Sequence, residues 1–193
     1  SQSVGAANLA AGLQDACLAC SPVVAITGRL EQIKQHRHAY QEIDHRGPFA
    51  AVTKFDSQVT SASELPFFLR QAFREATAGT PGPTHLDLDG IDGTVVATDE
   101  ADLEVIVEES FTRLPPFRPE PELALVREAL ELLAAAERPV IVAGGGVTTS
   151  QAEEELVALA EKLSIPVATA MNAKTAIPAD HPLAVGVPGN YSR

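Results

Sequence analysis

The 193-residue chain has two cysteines, both in Cys17-Leu-Ala-Cys20, too few for a disulfide framework, so a reducing, cytoplasmic setting is expected. Basic residues are also scarce: fourteen Lys and Arg face twenty-six Asp and Glu, for a formal charge of -12. Nucleic acid or an anionic membrane would be repelled over most of such a surface, and neither is expected as a partner; a local basic pocket for a phosphate stays compatible. No apolar run approaches the roughly 18 to 20 residues needed to cross a bilayer. Residues 1–15 lack the basic start and apolar stretch of a signal peptide, and there is no initiator Met. The chain is therefore expected to be processed or to begin inside a longer protein.

What is present is ordinary globular material, with 45% hydrophobic and 21% charged residues. The length suffices for one large or two small domains with a sizeable core. Over residues 8–20, Leu9, Leu13, Ala16, Cys17 and Cys20 recur at helical spacing, with Asn8 as a candidate N-cap. Pro22 ends that helix, and Val23-Val24-Ala25-Ile26 reads as a fully buried strand closed by Gly28. Residues 29–47 read as a polar loop with one short helical turn, and residues 50–59 as extended. Ser61 and Glu64 have capping-box spacing, and Leu65, Leu69, Ala72 and Ala76 share one helical face. Turn chemistry at Gly79-Thr-Pro-Gly-Pro83 precedes a further strand over 84–88.

Residues 94–121 differ in composition, with six acids between 99 and 109 and then Pro115, Pro116, Pro119 and Pro121. Such a stretch predicts a Pro-rich acidic linker between a domain at 1–93 and another at 122–193. In the second domain Leu123, Val126, Leu130 and Leu133 face one way on a helix, and Pro139 to Ala143 is a buried strand. A turn at Gly144-Gly145-Gly146, a capping box from Ser150 and Glu153, a helix carrying Leu156, Leu159 and Leu163, and a buried strand over 165–170 complete one βαβ unit. Residues 171–193 hold turn residues throughout. The pattern predicts an α/β protein of two partial doubly wound, three-layer, parallel-sheet domains.

Candidate chemistry is sparse. Gly144, Gly145 and Gly146 lie where a strand turns into a helix, where exposed backbone N–H groups favour an anion such as the phosphates of FAD or ADP. The fingerprint is incomplete, since Thr149 replaces the third glycine and no acid follows the second strand, so nicotinamide chemistry is disfavoured. Cys17 and Cys20 have redox spacing but end an amphipathic helix, which favours packed thiols. His36, His38 and His45 with Asp44 could be imagined around a metal; a solvated polar loop is the preferred reading, and no metal ligand is assigned.

Several ordered pieces resemble the thiamine-diphosphate-dependent enzymes of the acetolactate synthase-like family. They are Gly5-Ala-Ala-Asn8, Gly12-Leu13, Asp15-Ala16, Pro22-Val-Val-Ala-Ile-Thr-Gly28, Tyr40-Gln-Glu-Ile-Asp44, Val52-Thr-Lys54 and Ala72-Phe-Arg-Glu-Ala76 with the turn at 79–83. Arg138-Pro-Val-Ile-Val-Ala-Gly-Gly-Gly146 and Leu163-Ser-Ile-Pro-Val167 look like the opening of the family's central domain. The resemblance implies the second half of a pyrimidine-binding domain followed by the first half of a central one. It further implies thiamine diphosphate and Mg²⁺ as cofactors, a 2-oxo acid substrate, and an active site between subunits of a homodimer or homotetramer. Decarboxylation of the 2-oxo acid and transfer of its carbanion-equivalent to a carbonyl is the implied reaction. Gln41 matches a glutamine that reaches the family's active site, and Gly5 and Asn8 match a turn beside the pyrimidine. The family's essential Glu would precede Ser1 and its metal and diphosphate motif would follow Arg193, so the isolated chain is expected to be inactive.

Three departures bear on the activity: Gln2-Ser-Val-Gly5 for the family's Ser-Gly-Pro-Gly, Asp89-Gly90 for Pro-Lys, and Thr169-Ala-Met-Asn-Ala-Lys174 for the flavin-contacting segment. The alternatives are a non-catalytic FAD- or ADP-binding module centred on Gly144 to Gly146, a structural fragment, or a 2-oxo acid or oxalyl-CoA decarboxylase of the same family.

Overall fold

Two sheets, each of three parallel strands, organise the chain in the computed structural model, which describes residues 2–90 and 104–190. They belong to separate units, Ser1–Pro116 and Phe117–Arg193.

The first unit opens on helix α1 (Val4–Leu18), rich in Ala and Leu, whose Ala6, Ala10 and Leu13 are buried at helical spacing. It starts four residues before the expected cap. Asn8 is exposed inside the helix, and the N-cap position belongs to Ser3, which makes no side-chain capping bond. The C-terminus is closed by Ser21 N donating to Ala16 O at 2.8 Å and Cys20 N to Cys17 O at 3.2 Å, with Cys20 left-handed at φ 55°. This is a Schellman motif, with Cys20 in the left-handed place that glycine usually takes.

Strands β1 (Val23–Arg29), β2 (Phe55–Val59) and β3 (Pro83–Asp89) pair in the order β1-β3-β2. Central β3 is buried except for half-buried Leu88, as a strand paired on both edges and covered on both faces should be. One face packs on α1 and the short helix α2 (Arg46–Ala50) through Val23, Ala25 and Phe49. The other packs on α3 (Leu65–Thr77) through Val24, Val59, Leu86, Leu69 and Ala72. The three-layer arrangement follows from this alternation. β1 is not fully buried as expected: it is an edge strand of the sheet, and Ile26 is 45% exposed.

The expected capping box at Ser61 does not form. A 3₁₀ turn over Ala62–Glu64 intervenes before α3, and the Glu64 carboxylate reaches back to Thr60, accepting from its N–H and its hydroxyl. Residues 94–103 of the expected linker lie outside the described residues. Residues 104–116 belong to the first unit, where Glu108 is clamped by Arg70 and by Nε and Nη2 of Arg74, and Arg74 lies 5.3 Å over the Phe111 ring.

In the second unit, α4 (Leu123–Ala135) precedes β4 (Ile141–Ala143), α5 (Gly145–Thr149), α6 (Glu153–Leu163), β5 (Val167–Thr169) and β6 (Ala184–Gly186). The order β4-β5-β6 puts fully buried β5 in the middle. Its core joins Ala143, Ala160, Val167, Ala173, Ala176 and Ile177. The expected buried strand at Pro139 to Ala143 is covered on one face only, since Val142 is 67% exposed. Ser150 does not cap α6; it ends α5, its hydroxyl donating to Gly146 O at 2.6 Å. β6, a three-residue strand, lies within the stretch that reads as turns.

Candidate active site

In open parallel sheets, ligands collect beyond the carboxyl ends of the strands. In the first unit that end opens into a basin of about 730 Å³, to which Arg29, Gln35, Glu42, His45, Arg46 and Asp87 contribute. Arg29 Nε donates to Asp89 Oδ1 at 2.6 Å, which ties the ends of adjacent strands β1 and β3 together.

The loop between β1 and α2 forms one wall. It carries three non-glycine residues in the left-handed region, His36 (φ 63°), His38 (φ 52°) and Gln41 (φ 62°). Such strain persists only where surrounding contacts enforce it. Here Glu42 does so: one carboxylate oxygen accepts from His36 N and the other from Ala39 N at 2.9 Å. The Ala39 N–H, and after it that of His36, holds the Glu42 carboxyl below its usual range. Gln41 is thereby fixed beside the start of α1, where Gln2 Nε2 donates to Gln41 Oε1 in a close contact. Gln2 Oε1 is buried with no hydrogen-bond partner among the described residues.

Beneath the basin lies a buried polar run that sequence reasoning missed. Ser3 N donates to His45 Nε2 at 3.0 Å, and His45 Nδ1 faces Asp87 Oδ1 and Oδ2 at 3.1 and 3.2 Å. The Thr27 hydroxyl donates to Asp87 Oδ1 at 2.6 Å and meets His85 Nε2 at 2.7 Å, while His85 Nδ1 meets Asp56 Oδ1 at 2.6 Å. Phe49 stacks on His85 with ring centroids 3.5 Å apart. The contacts Asp56–His85, His85–Thr27 and Thr27–Asp87 join end to end, so these four side chains form one hydrogen-bonded run. The legible signal was the alternation His85, Asp87, Asp89 with Leu86 and Leu88 between them, which puts three polar groups on one face of the central strand.

His45, read in the sequence as part of a solvated loop, is buried; the difference arises because it has both a donor and a carboxylate to satisfy its ring nitrogens. His36, His38 and Asp44 are exposed, and among the described residues no group of three or more His, Cys, Asp or Glu could hold a metal. Gly5 lies in the first turn of α1 and exposed Asn8 in the next. Gly144, Gly145 and Gly146 belong to the other unit, at the start of α5. A Cβ on Gly145 would lie 3.0 Å from Asn172 Nδ2, a close approach to the end of an exposed side chain, whereas Gly144 and Gly146 face open space.

Comparison with known proteins gives this geometry a family. Residues 126–193 match the family described as thiamine pyrophosphate enzyme, central domain. The chain is also 42% identical over 191 residues to a probable acetolactate synthase large subunit of Methanocaldococcus jannaschii, covering 97% of this chain and 31% of that protein. An acetolactate synthase large subunit of Corynebacterium glutamicum is 36% identical over 97% of this chain and 29% of its own length. One of Lactococcus lactis is 30% identical over 97% and 32%. The chain thus spans about a third of the length of these relatives. Residues 126–193 thus carry the central domain of the thiamine pyrophosphate enzymes, and over nearly its whole length the chain is similar to a segment of acetolactate synthase large subunits.

Proposed function

We propose that the chain is part of a thiamine-diphosphate-dependent carboligase that removes CO₂ from a 2-oxo acid and transfers the carbanion-equivalent to a carbonyl. Gln41 is the residue we assign to the substrate, with Gly5 and Asn8 beside the cofactor's pyrimidine. The observation that carries the assignment is the strained Gln41 in the loop that follows β1, held by a glutamine whose own amide oxygen is buried with no hydrogen-bond partner among the described residues. An orphan acceptor beside an amide fits a ring that offers N–H donors, and an amide can orient a substrate oxygen without titrating. The cofactor, when bound, supplies the electron sink for decarboxylation. This chain's residues orient and bind: the Glu42 clasp presents Gln41, and the amide of Gln2 limits its rotation.

Mg²⁺ finds no set of ligands among the described residues, and no step is assigned to it here. FAD or ADP at Gly144 to Gly146 is no part of the proposal: the Asn172 amide lies over Gly145, although the space over Gly144 and Gly146 is open. An assembly of two or four copies, with the site between subunits, completes the proposal, as does the inactivity of these 193 residues alone.

The test is release of CO₂ and a carboligated product from a 2-oxo acid by the protein that carries this chain, with thiamine diphosphate and Mg²⁺ supplied. Gln41→Ala is expected to lower kcat/KM by roughly 10- to 100-fold, the loss of one or two hydrogen bonds to a reacting ligand. Full activity in that variant removes Gln41 from the site, and no CO₂ release by the unaltered protein overturns the carboligase reading.

A further inference from the structure

Ser3 joins the Gln2 amide, which holds Gln41, to the first turn of α1. Its backbone sits at φ 49°, ψ -117°, a region that L-residues enter only under constraint. The constraint on its N–H is the ring of His45, whose side chain is 2% exposed. An imidazole that accepts at Nε2 and is neutral carries its single hydrogen on Nδ1, and here Nδ1 faces the Asp87 carboxylate. We propose that His45 is a positioning residue for Gln41: its neutral ring, oriented by Asp87, latches Ser3 and so sets Gln2 against the Gln41 carboxamide. The inference rests on the reading of Gln41 as facing the substrate.

The latch is acid-sensitive by construction. A proton added to the ring puts a donor on Nε2, facing the Ser3 N–H across 3.0 Å, so an attraction becomes an opposition of two donors. The charged groups that share the basin are Arg29 from β1, Asp87 from β3, Glu42 and Asp44 from the loop, and Arg46 from α2, with His36 and His38 on its rim. They share the basin with the ring, but the acceptor that meets Ser3 is the ring nitrogen itself, so Ser3 and Gln41 must respond together when that nitrogen is protonated.

The experiment is a pH titration of the ¹⁵N-labelled protein that carries this chain, following the ring nitrogens of His45, the Ser3 amide and the Gln41 carboxamide. The expected result is an Nδ1–H tautomer at neutral pH and one common midpoint for all three signals on acidification. His45→Ala should speed exchange of the Ser3 amide by about fivefold to tenfold, the loss of one hydrogen bond. His45→Gln, whose carbonyl can accept from Ser3 but does not titrate, should restore most of that protection and abolish the midpoint. If His45→Ala does not fold, the unaltered chain and His45→Gln still decide. An Nε2–H tautomer, or a Gln41 carboxamide that stays still while Ser3 moves, overturns the latch. Loss of carboligation in Gln41→Ala would then leave the functional reading standing, so the two can fail separately.

Discussion

The two sheets are built alike and buried differently. In the first unit the middle strand, β3, buries His85, Asp87 and Asp89 beside its apolar residues; in the second the middle strand, β5, is Val167-Ala168-Thr169. An apolar strand gains from any neighbour that excludes water and therefore fixes geometry only loosely. A buried carboxylate costs several kcal/mol unless particular donors reach it, so it tolerates one arrangement and penalises the rest. Asp87 has its donors: Thr27 from the adjacent strand and His45 from the edge of α2. The unit with the polar interior is also the one whose β1–α2 loop carries Gln41. Its core holds a loop in place, whereas the second core holds mainly itself together.

The hardest test of that contrast is to truncate one buried side chain in each middle strand. Asp87→Ala strands His45 Nδ1 and leaves the Thr27 hydroxyl with His85 alone, and breaking a buried pair in this way costs about 3–5 kcal/mol. Val167→Ala removes two methyl groups from the apolar core and should cost about 2 kcal/mol. Urea unfolding with a probe in each unit reads both. A larger loss for Val167→Ala, or a loss for Asp87→Ala that leaves Ser3 and Gln41 undisturbed, would erase the distinction between the two interiors.

Acid sharpens the comparison next, because the first unit has a second carboxylate that depends on its charge. Arg74, and after it Arg70, hold the Glu108 carboxyl at about 2. A carboxyl depressed in the folded state binds protons less readily there than in the unfolded chain. Its contribution is therefore complete above the ordinary range near 4.5 and is lost as pH falls toward about 2. Glu42 acts in the same direction. Thermal melts between pH 7 and 2 should show the first unit losing stability through this window. Glu108→Gln should lower its melting temperature at pH 7 and converge on the unaltered chain near pH 2. Parallel curves across the window would remove the clamp as the cause.

What the sequence made legible follows the same division. Local patterns read true: Leu65, Leu69, Ala72 and Ala76 do share a buried or half-buried face of α3, and the Gly-Pro turn does deliver β3. Patterns that depend on a distant partner did not. Ser3 and His45 are 42 residues apart and Thr27 and Asp87 are 60, and no local spacing pairs them. The start of α1 was missed because it is fixed by such a contact rather than by Asn8. Both capping boxes failed because a 3₁₀ turn or an intervening short helix took up the Ser before the long helix began. A run such as Val23-Val24-Ala25-Ile26 cannot say whether its strand lies at a sheet's edge or in its middle. The resemblance to thiamine-diphosphate enzymes bridged that gap for the family, but the buried run from Asp56 to Ser3 is visible only in three dimensions.

The smallest effect concerns how helices end in the two units. α6 closes on a Schellman motif, with Ile165 N donating to Ala160 O at 2.9 Å and Ser164 N to Glu161 O at 3.2 Å. Ser164 takes the left-handed place at φ 53°, as Cys20 does at φ 55° after α1. A side chain in that conformation costs roughly 1–2 kcal/mol, which glycine avoids at the expense of roughly 0.5–1 kcal/mol more freedom in the unfolded chain. Ser164 is exposed and loses no packing on substitution, so Ser164→Gly should stabilise the second unit by about 0.5 kcal/mol. Cys20 is half-buried, and Cys20→Gly should gain less, because the thiol's contacts are lost with it. Paired urea midpoints would measure the difference. A larger gain for Cys20→Gly would mean that the thiol is not packed where the first unit needs it.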